Sequence, residues 1–314
     1  MTLPRRELLK TALGAAASAG LAAGSACSQQ KGTPTMASEN GSQGSTRSGA
    51  PQRGGRMPAL FIGHGSPMNA IEDNQWSRAL RGYAKELPRP KAVLCISAHW
   101  YTAGTFVTGN ERPETIHDFG GFPDELFQVQ YPAPGDVGLA QRAVALAGQG
   151  RARATLRSDW GLDHGTWSVL VHLLPKADVP VVQLSIDGRL PYGEHLAIGK
   201  ALAPLRDEGV LILGSGNVTH NLRHAFGSMQ SGNTVTPDWA RSFDEGVVKA
   251  LATHDHKWLA EAPLGAEGRL AHPTPDHYLP LLYAAGASTV DERLAYPITG
   301  FDAASLSMRS VRFG

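Results

Sequence analysis

A chain of 314 residues with 29 basic and 28 acidic side chains carries a formal net charge of +1, and no Lys/Arg-rich run follows the pattern of a nucleic-acid tracker, so no polyanion partner is indicated. Its 42% apolar and 18% charged residues fit a soluble globular protein of one large or two small domains and exclude a wholly disordered chain. The longest apolar stretch, Thr11 to Ala26, is too short and too rich in Ala and Gly to make a membrane span, so no transmembrane domain is expected.

The N-terminus reads as an address. Arg5-Arg6-Glu7-Leu8-Leu9-Lys10 is a twin-arginine sequence, followed by the weakly apolar run Leu13 to Ala23 and then small residues. Residues 1–27 are therefore expected to be a twin-arginine export signal, which delivers an already folded protein to the periplasm. Cys27 follows Gly24-Ser25-Ala26 and is a candidate lipid anchor, although the usual Leu three residues before it is absent. Residues 28–56 are mostly Ser, Gly, Thr, Gln and Asn; they cannot bury enough surface to offset the entropy of ordering, and are expected to be a disordered tether. Cys95 is the other cysteine, and it sits in an apolar run as a small hydrophobe, so no intramolecular disulfide is expected in the folded part.

The domain proper spans 57–314. Apolar runs predict strands over Pro58–Ile62, Ala92–Ser97, Thr105–Thr108, Val179–Ile186, Val210–Leu213 and Ser305–Arg312. Helical spacing predicts helices over Asn74–Leu87, Asp136–Ala147, Thr166–Leu174, Gly193–Leu205 and Asp238–Thr253. Residues 110–135 and 226–237, rich in Gly, Pro and polar groups, are expected to be loops on the active-site side. Alternation of strand and helix implies a single α/β domain, with a mostly parallel central sheet flanked by helices and the active site at the carboxyl ends of the strands.

Histidines stand at those ends. His64 lies in Gly63-His64-Gly65-Ser66-Pro67 after the first strand, His99 in Ser97-Ala98-His99-Trp100 at the end of the second, and His220 in Gly216-Asn217-Val218-Thr219-His220 after the Val210–Leu213 strand. His164 opens a predicted helix, where either Asp163 fixes its tautomer or Thr166 helps cap the helix. Thr274 as N-cap and Pro275 at the first helical position put His277 in a first turn, with Leu281 and Leu282 facing the core. His117, in a Gly/Phe/Pro loop, is placed to wall a pocket, and His272 is second to these. His172, His195, His224, His254 and His256 read as solvent-facing. Spacing yields no HExxH or CxxC signature, so the chemistry points only to a multi-histidine metal site. Gly65-Ser66-Pro67 is a poor serine nucleophile elbow because Pro67 has no N–H for an oxyanion hole, and Gly214-Ser215-Gly216 lacks the Lys of a phosphate loop.

Six segments in order resemble the class III extradiol ring-cleavage dioxygenases of the 4,5-DOPA type: Met57–Asn69, Ser97–Trp100, Thr115–Pro123, Trp160–Gly165, Gly216–Leu222 and Pro273–Pro280. The resemblance implies one divalent metal per chain, Zn(II) or Fe(II), with His64 and His99 as ligands, His277 in the third protein position, and His220 as base or fourth ligand. Relatives of this superfamily commonly carry Glu where His277 stands; three neutral ligands leave the centre more positive and suit zinc. Asp276 is the nearby carboxylate that could intrude as a ligand. It further implies His220 and His164 as the catalytic acid–base pair, with His117, Asp118 and Ser66 at the substrate, and a small aromatic diol and O2 as partners. A zinc hydrolase that activates water with the same cluster stays open as another reading, as does a non-catalytic metal-binding relative. The twin-arginine signal departs from the cytosolic habit of such proteins.

Overall fold

The computed structural model describes residues 55–150 and 153–314. The expected export signal, most of the tether, and Cys27 lie outside the described residues. Within them, an eight-stranded sheet carries the fold, in the order β4-β3-β5-β2-β6-β1-β10-β7. Its strands are β1 (Ala59–Gly63), β2 (Ala92–Thr102), β3 (Thr105–Thr108), β4 (Ala154–Arg157), β5 (Val181–Asp187), β6 (Val210–Gly216), β7 (Leu294–Ile298) and β10 (Ser310–Phe313). Between β7 and β10, β8 (Phe301–Asp302) and β9 (Leu306–Ser307) pair with each other.

The four central strands β5, β2, β6 and β1 run parallel, as the sequence predicts. The reason is burial on both faces: every residue of β1, β5 and β6 is buried, which is possible only where helices cover the sheet on each side. Phe61, Leu94, Ile96, Leu184 and Ile212 pack on one face with the Val137–Ala147, Tyr192–Leu202, Asp238–Ala252 and Leu279–Gly286 helices. Leu60, Ile62, Val93, Cys95, Val181 and Leu213 pack on the other with the Gln75–Ala84 and His164–Leu173 helices. The outer strands depart from the parallel pattern: β3 is antiparallel to β5, and β10 is antiparallel to both β1 and β7.

Local chemistry sets the helix starts. Asn74 caps its helix through Trp76 N and Ser77 N, and Ser77 returns a contact to Asn74 N, a reciprocal capping box. Asp136 accepts from Leu139 N at 2.9 Å in the same role. At the base of the sheet the buried Arg206 guanidinium ties the first strand to the last, donating to the carbonyls of Met57 and Phe313 and to Glu292.

Several expectations are corrected. The predicted Ser305–Arg312 strand is two strands, β9 and β10, separated by Met308 and Arg309. The predicted loop 226–237 is half helix: Leu222–Ser231, capped by Asn221 and ended by Gly232 at φ 70°. The predicted loop 110–135 contains a one-turn helix, Asp124–Phe127. His172 and His195 are not solvent-facing. They are 8% and 0% exposed, because His172 Nε2 meets the Asn69 carbonyl at 2.7 Å and His195 Nδ1 meets the Tyr283 hydroxyl at 2.9 Å. Each ring is thereby a core group held by a distant partner. His224, His254 and His256 are half-buried.

Candidate metal centre

β1 delivers His64 just past its last residue. Gly65 next to it takes φ 63°, a left-handed turn that suits glycine and sends the chain away from the sheet edge. The Ser215 hydroxyl on β6 donates to the Gly165 carbonyl, so toward His64 Nδ1, 2.9 Å away, Ser215 can only accept. The His64 proton is thus on Nδ1 and its Nε2 carries a lone pair. β2 delivers His99 near its carboxyl end, within the irregular stretch between Ile96 and Tyr101. Its Nε2 lies 3.3 Å from His64 Nε2, and its Nδ1 lies 3.4 Å from Asp118 Oδ2. Two Nε2 lone pairs facing each other at that distance repel unless a cation sits between them. The donor set therefore fits a divalent ion that takes imidazole nitrogen.

His164 opens the His164–Leu173 helix. Asp163, not Thr166, caps that helix by accepting from Thr166 N, and it is Asp118 rather than Asp163 that holds the His164 ring, with Oδ1 2.9 Å from Nδ1. Gly165 is required here: a Cβ would stand 2.4 Å from Ser97 Oγ and 2.7 Å from the His99 ring. His277 ends the 3-10 turn Pro275–His277, with Pro275 at its start as expected. Its ring centroid is 5.2 Å from that of His64 and 5.0 Å from that of His99. Asp276 Oδ2 lies 3.0 Å from His277 Nδ1 and so backs the imidazole instead of competing with it. His220, half-buried after β6, stacks on His277 at 3.4 Å with the planes 5° apart. Parallel planes that far apart do not share an in-plane point, so ligation of one ion by both rings requires one of them to turn.

Among the described residues, His64, His99 and His164 each offer a nitrogen, all within 4.8 Å of one another. That group contains neither His277 nor His220, the other two expected ligands; ring contacts set His277 beside His64 and His99, and His220 against His277. Electrostatics divides them. Burial first, and then the neighbouring imidazoles, hold His64 and His220 well below the ordinary histidine pKa. His99 is lowered likewise, by burial and by His164, against the opposing pull of Asp118. Burial works against charge on His164 too, but the Asp118 carboxylate overcomes it and raises the pKa. Asp118 itself is buried, which opposes its ionisation, yet His164 holds it well below the usual carboxylate range.

The other expected site residues are placed less centrally. His117 Nε2 donates to the Val129 carbonyl at 3.0 Å, and its ring sits among Phe119, Phe127 and Trp167. Phe119 lies edge-on to His164 at 5.3 Å. This aromatic wall closes one side of the centre. Ser66 is half-buried and its hydroxyl accepts from Met68 N at 3.2 Å, capping the Pro67–Ala70 turn. His272 is buried against Phe243 and Tyr278. Two residues that sequence reasoning missed are Ser215, as the acceptor behind His64, and Phe119. Position was the available signal: Ser215 lies at the carboxyl end of a buried parallel strand.

Comparison with known proteins places these residues in a family. The family described as the catalytic LigB subunit of aromatic ring-opening dioxygenase matches residues 58–302. The chain is 48% identical to a protein of Escherichia coli K12 named 4,5-DOPA dioxygenase extradiol, covering 82% of this chain and 95% of the relative. It is 40% identical to one of the same name from Beta vulgaris, covering 81% and 95%. A crystal structure of an uncharacterized Escherichia coli K12 protein superposes with a TM-score of 0.69 at 42% identity, covering 82% of this chain and all of the other.

Proposed function

The chain belongs to the family of the catalytic LigB subunit of aromatic ring-opening dioxygenases, and from that membership we propose that it opens the ring of a DOPA-like catechol with O2 at the five-histidine centre. The observation that carries this reading is the shared orientation of the rings: Nδ1 of His64 and of His277 is hydrogen-bonded to an oxygen, Nδ1 of His99 and of His164 lies within 3.4 Å of Asp118, and the Nε2 edges are left to the centre. His64 and His99 would hold one divalent ion, Zn(II) or Fe(II), with His277 third and His220 beside it. Such an ion would bind the diol oxygens and, if it were iron, would supply the redox exchange with O2 that zinc lacks.

The chain's own groups do the rest. His220, kept neutral by its surroundings, accepts a phenolic proton on a ring nitrogen. His164, biased toward the charged form by Asp118, presents an Nε2 proton to the oxygen inserted into the ring. Phe119, Trp167 and His117 form a wall that keeps water from the centre and offers a face for the substrate ring. The test is O2 consumption on adding L-DOPA and simple catechols to apo-protein reloaded anaerobically with Fe(II) or Zn(II). Uptake with a yellow ring-opened product is expected with iron, slowed about 100-fold or more in His220→Ala. No uptake with any catechol, metal being bound, overturns the reading in favour of a zinc hydrolase.

The Arg5-Arg6 leader supports export by the twin-arginine route, to the periplasm or to a membrane anchored through Cys27. Cell fractionation of an Arg5→Lys/Arg6→Lys variant is expected to find the protein retained in the cytoplasm; an unchanged distribution removes this assignment. No helix among the described residues is long and apolar enough to cross a membrane.

A further inference from the structure

Three nitrogens gather at the carboxylate of Asp118: the His164 backbone N–H is hydrogen-bonded to it, and two ring nitrogens stand at ion-pair distance. Oδ2 lies 3.4 Å from Nδ1 of His99. Oδ1 lies 2.9 Å from Nδ1 of His164 and accepts the backbone N–H of the same residue at 2.9 Å. The side chain is 14% exposed, so water competes little for these contacts. A carboxylate accepts on both oxygens, whereas an amide accepts on one and donates on the other. With Asn in this place, one ring Nδ1–H faces an NH2 group. The relief is a change of tautomer, which on His99 puts a proton on Nε2, the nitrogen that faces His64.

We propose that Asp118 is a shared positioning residue: it stands behind the Nδ1 edges of both rings, turning His99 Nε2 toward the metal and His164 Nε2 toward the substrate, and does not itself bind the diol. The loop from Thr115 to Pro123 thereby joins metal retention to turnover through one side chain. The metal half stands on the geometry of His99 alone; the turnover half rests on the ring-cleaving reading above.

The experiment separates the two. Variants Asp118→Asn, His164→Gln and the double variant are compared with wild type, once thermal unfolding has verified each fold. Zn(II) and Fe(II) affinities are measured by chelator competition, and kcat and KM for L-DOPA at saturating Fe(II). Asp118→Asn is expected to lower metal affinity about 10–100-fold. At saturating iron its kcat should still be down about 100-fold with KM nearly unchanged. On the His164→Gln background the same substitution should cost the same factor in affinity and little further kcat. Unchanged metal affinity overturns the proposal, and so does a raised KM at unchanged kcat, which would return Asp118 to substrate binding. Wild type that cleaves no catechol defeats the ring-cleaving reading while the affinity comparison still decides the role of Asp118. A second measurement needs no variant. Long-range 15N–1H spectra of the zinc-loaded protein should show the His99 and His164 protons on Nδ1; a proton on His99 Nε2 overturns the proposal.

Discussion

His64→Ala is expected to give a folded protein with no measurable catechol-dependent O2 uptake and at least about 100-fold weaker divalent-metal affinity. Removing an outer partner of a metal ligand typically costs 10–100-fold, and removing the ligand costs at least that much. His64 is the most firmly anchored of the five rings. Its backbone N–H donates to Gly216 at 2.9 Å, its carbonyl accepts from Asn69 Nδ2 at 3.0 Å, and its Nδ1 is held by Ser215. It therefore arrives at the centre with little freedom left to lose, and no other side chain stands in the same line to replace it. Ser215→Ala should show the milder form of the same defect, because the ring remains and only its orientation is loosened. Metal stoichiometry by atomic absorption, with O2 electrode traces on the same samples, checks both; a His64→Ala protein that keeps its metal and its uptake removes His64 from the centre.

Gly216→Ala is expected to destabilise the domain by about 3 kcal/mol and to weaken the metal centre although it alters no ligand. Gly216 is the last residue of β6, in register with Gly63 of β1. A Cβ there would stand 2.1 Å from the carbonyl oxygen of His277. That oxygen also accepts the Asn217 N–H at 2.9 Å, so it cannot move off without losing a buried hydrogen bond. Either β6 or the Pro275–His277 turn must shift, and the turn carries a ring of the centre. Calorimetry should show the melting temperature down by roughly 6–12 °C, at about 2–4 °C per kcal/mol for a domain of this size, with metal affinity reduced as well. An unchanged melting temperature would mean the strand and turn can separate freely at this point.

What could be read in the sequence was what leaves a local mark. The buried parallel strands announce themselves as apolar runs, and the Asn74 and Asp136 helix starts lie where a capping side chain meets helical spacing. β4 and β7 were not predicted because half-exposed edge strands carry no such run. Residues 226–231 of the helix Leu222–Ser231 read as loop because Gly227 and the serines lower helix propensity, although Asn221 before the helix and Gly232 after it are boundary signals. The histidines at the strand ends were legible from position and their glycine neighbours. The acceptors behind them were not: Ser215 meets His64 across 151 positions, and Asp118 meets the His164 backbone across 46. His172 and His195 were misplaced for the same reason, since their partners Asn69 and Tyr283 lie 103 and 88 residues away. A polar residue on a helix reads as solvent-facing until its distant partner is known.

The five histidines come from five separate segments spread along most of the domain, and Cys95, the cysteine among the described residues, is free. An ion at their meeting point is therefore a tie among remote parts of the chain, in a molecule whose described part has no covalent one. The unfolded chain has no such convergence, so the whole binding energy favours the native state: about 4 kcal/mol when free ion exceeds its dissociation constant a thousandfold. Unlike a disulfide, this tie can be undone by a chelator without a reductant. A protein built this way carries much of its resistance to heat in a component that its surroundings can supply or withdraw.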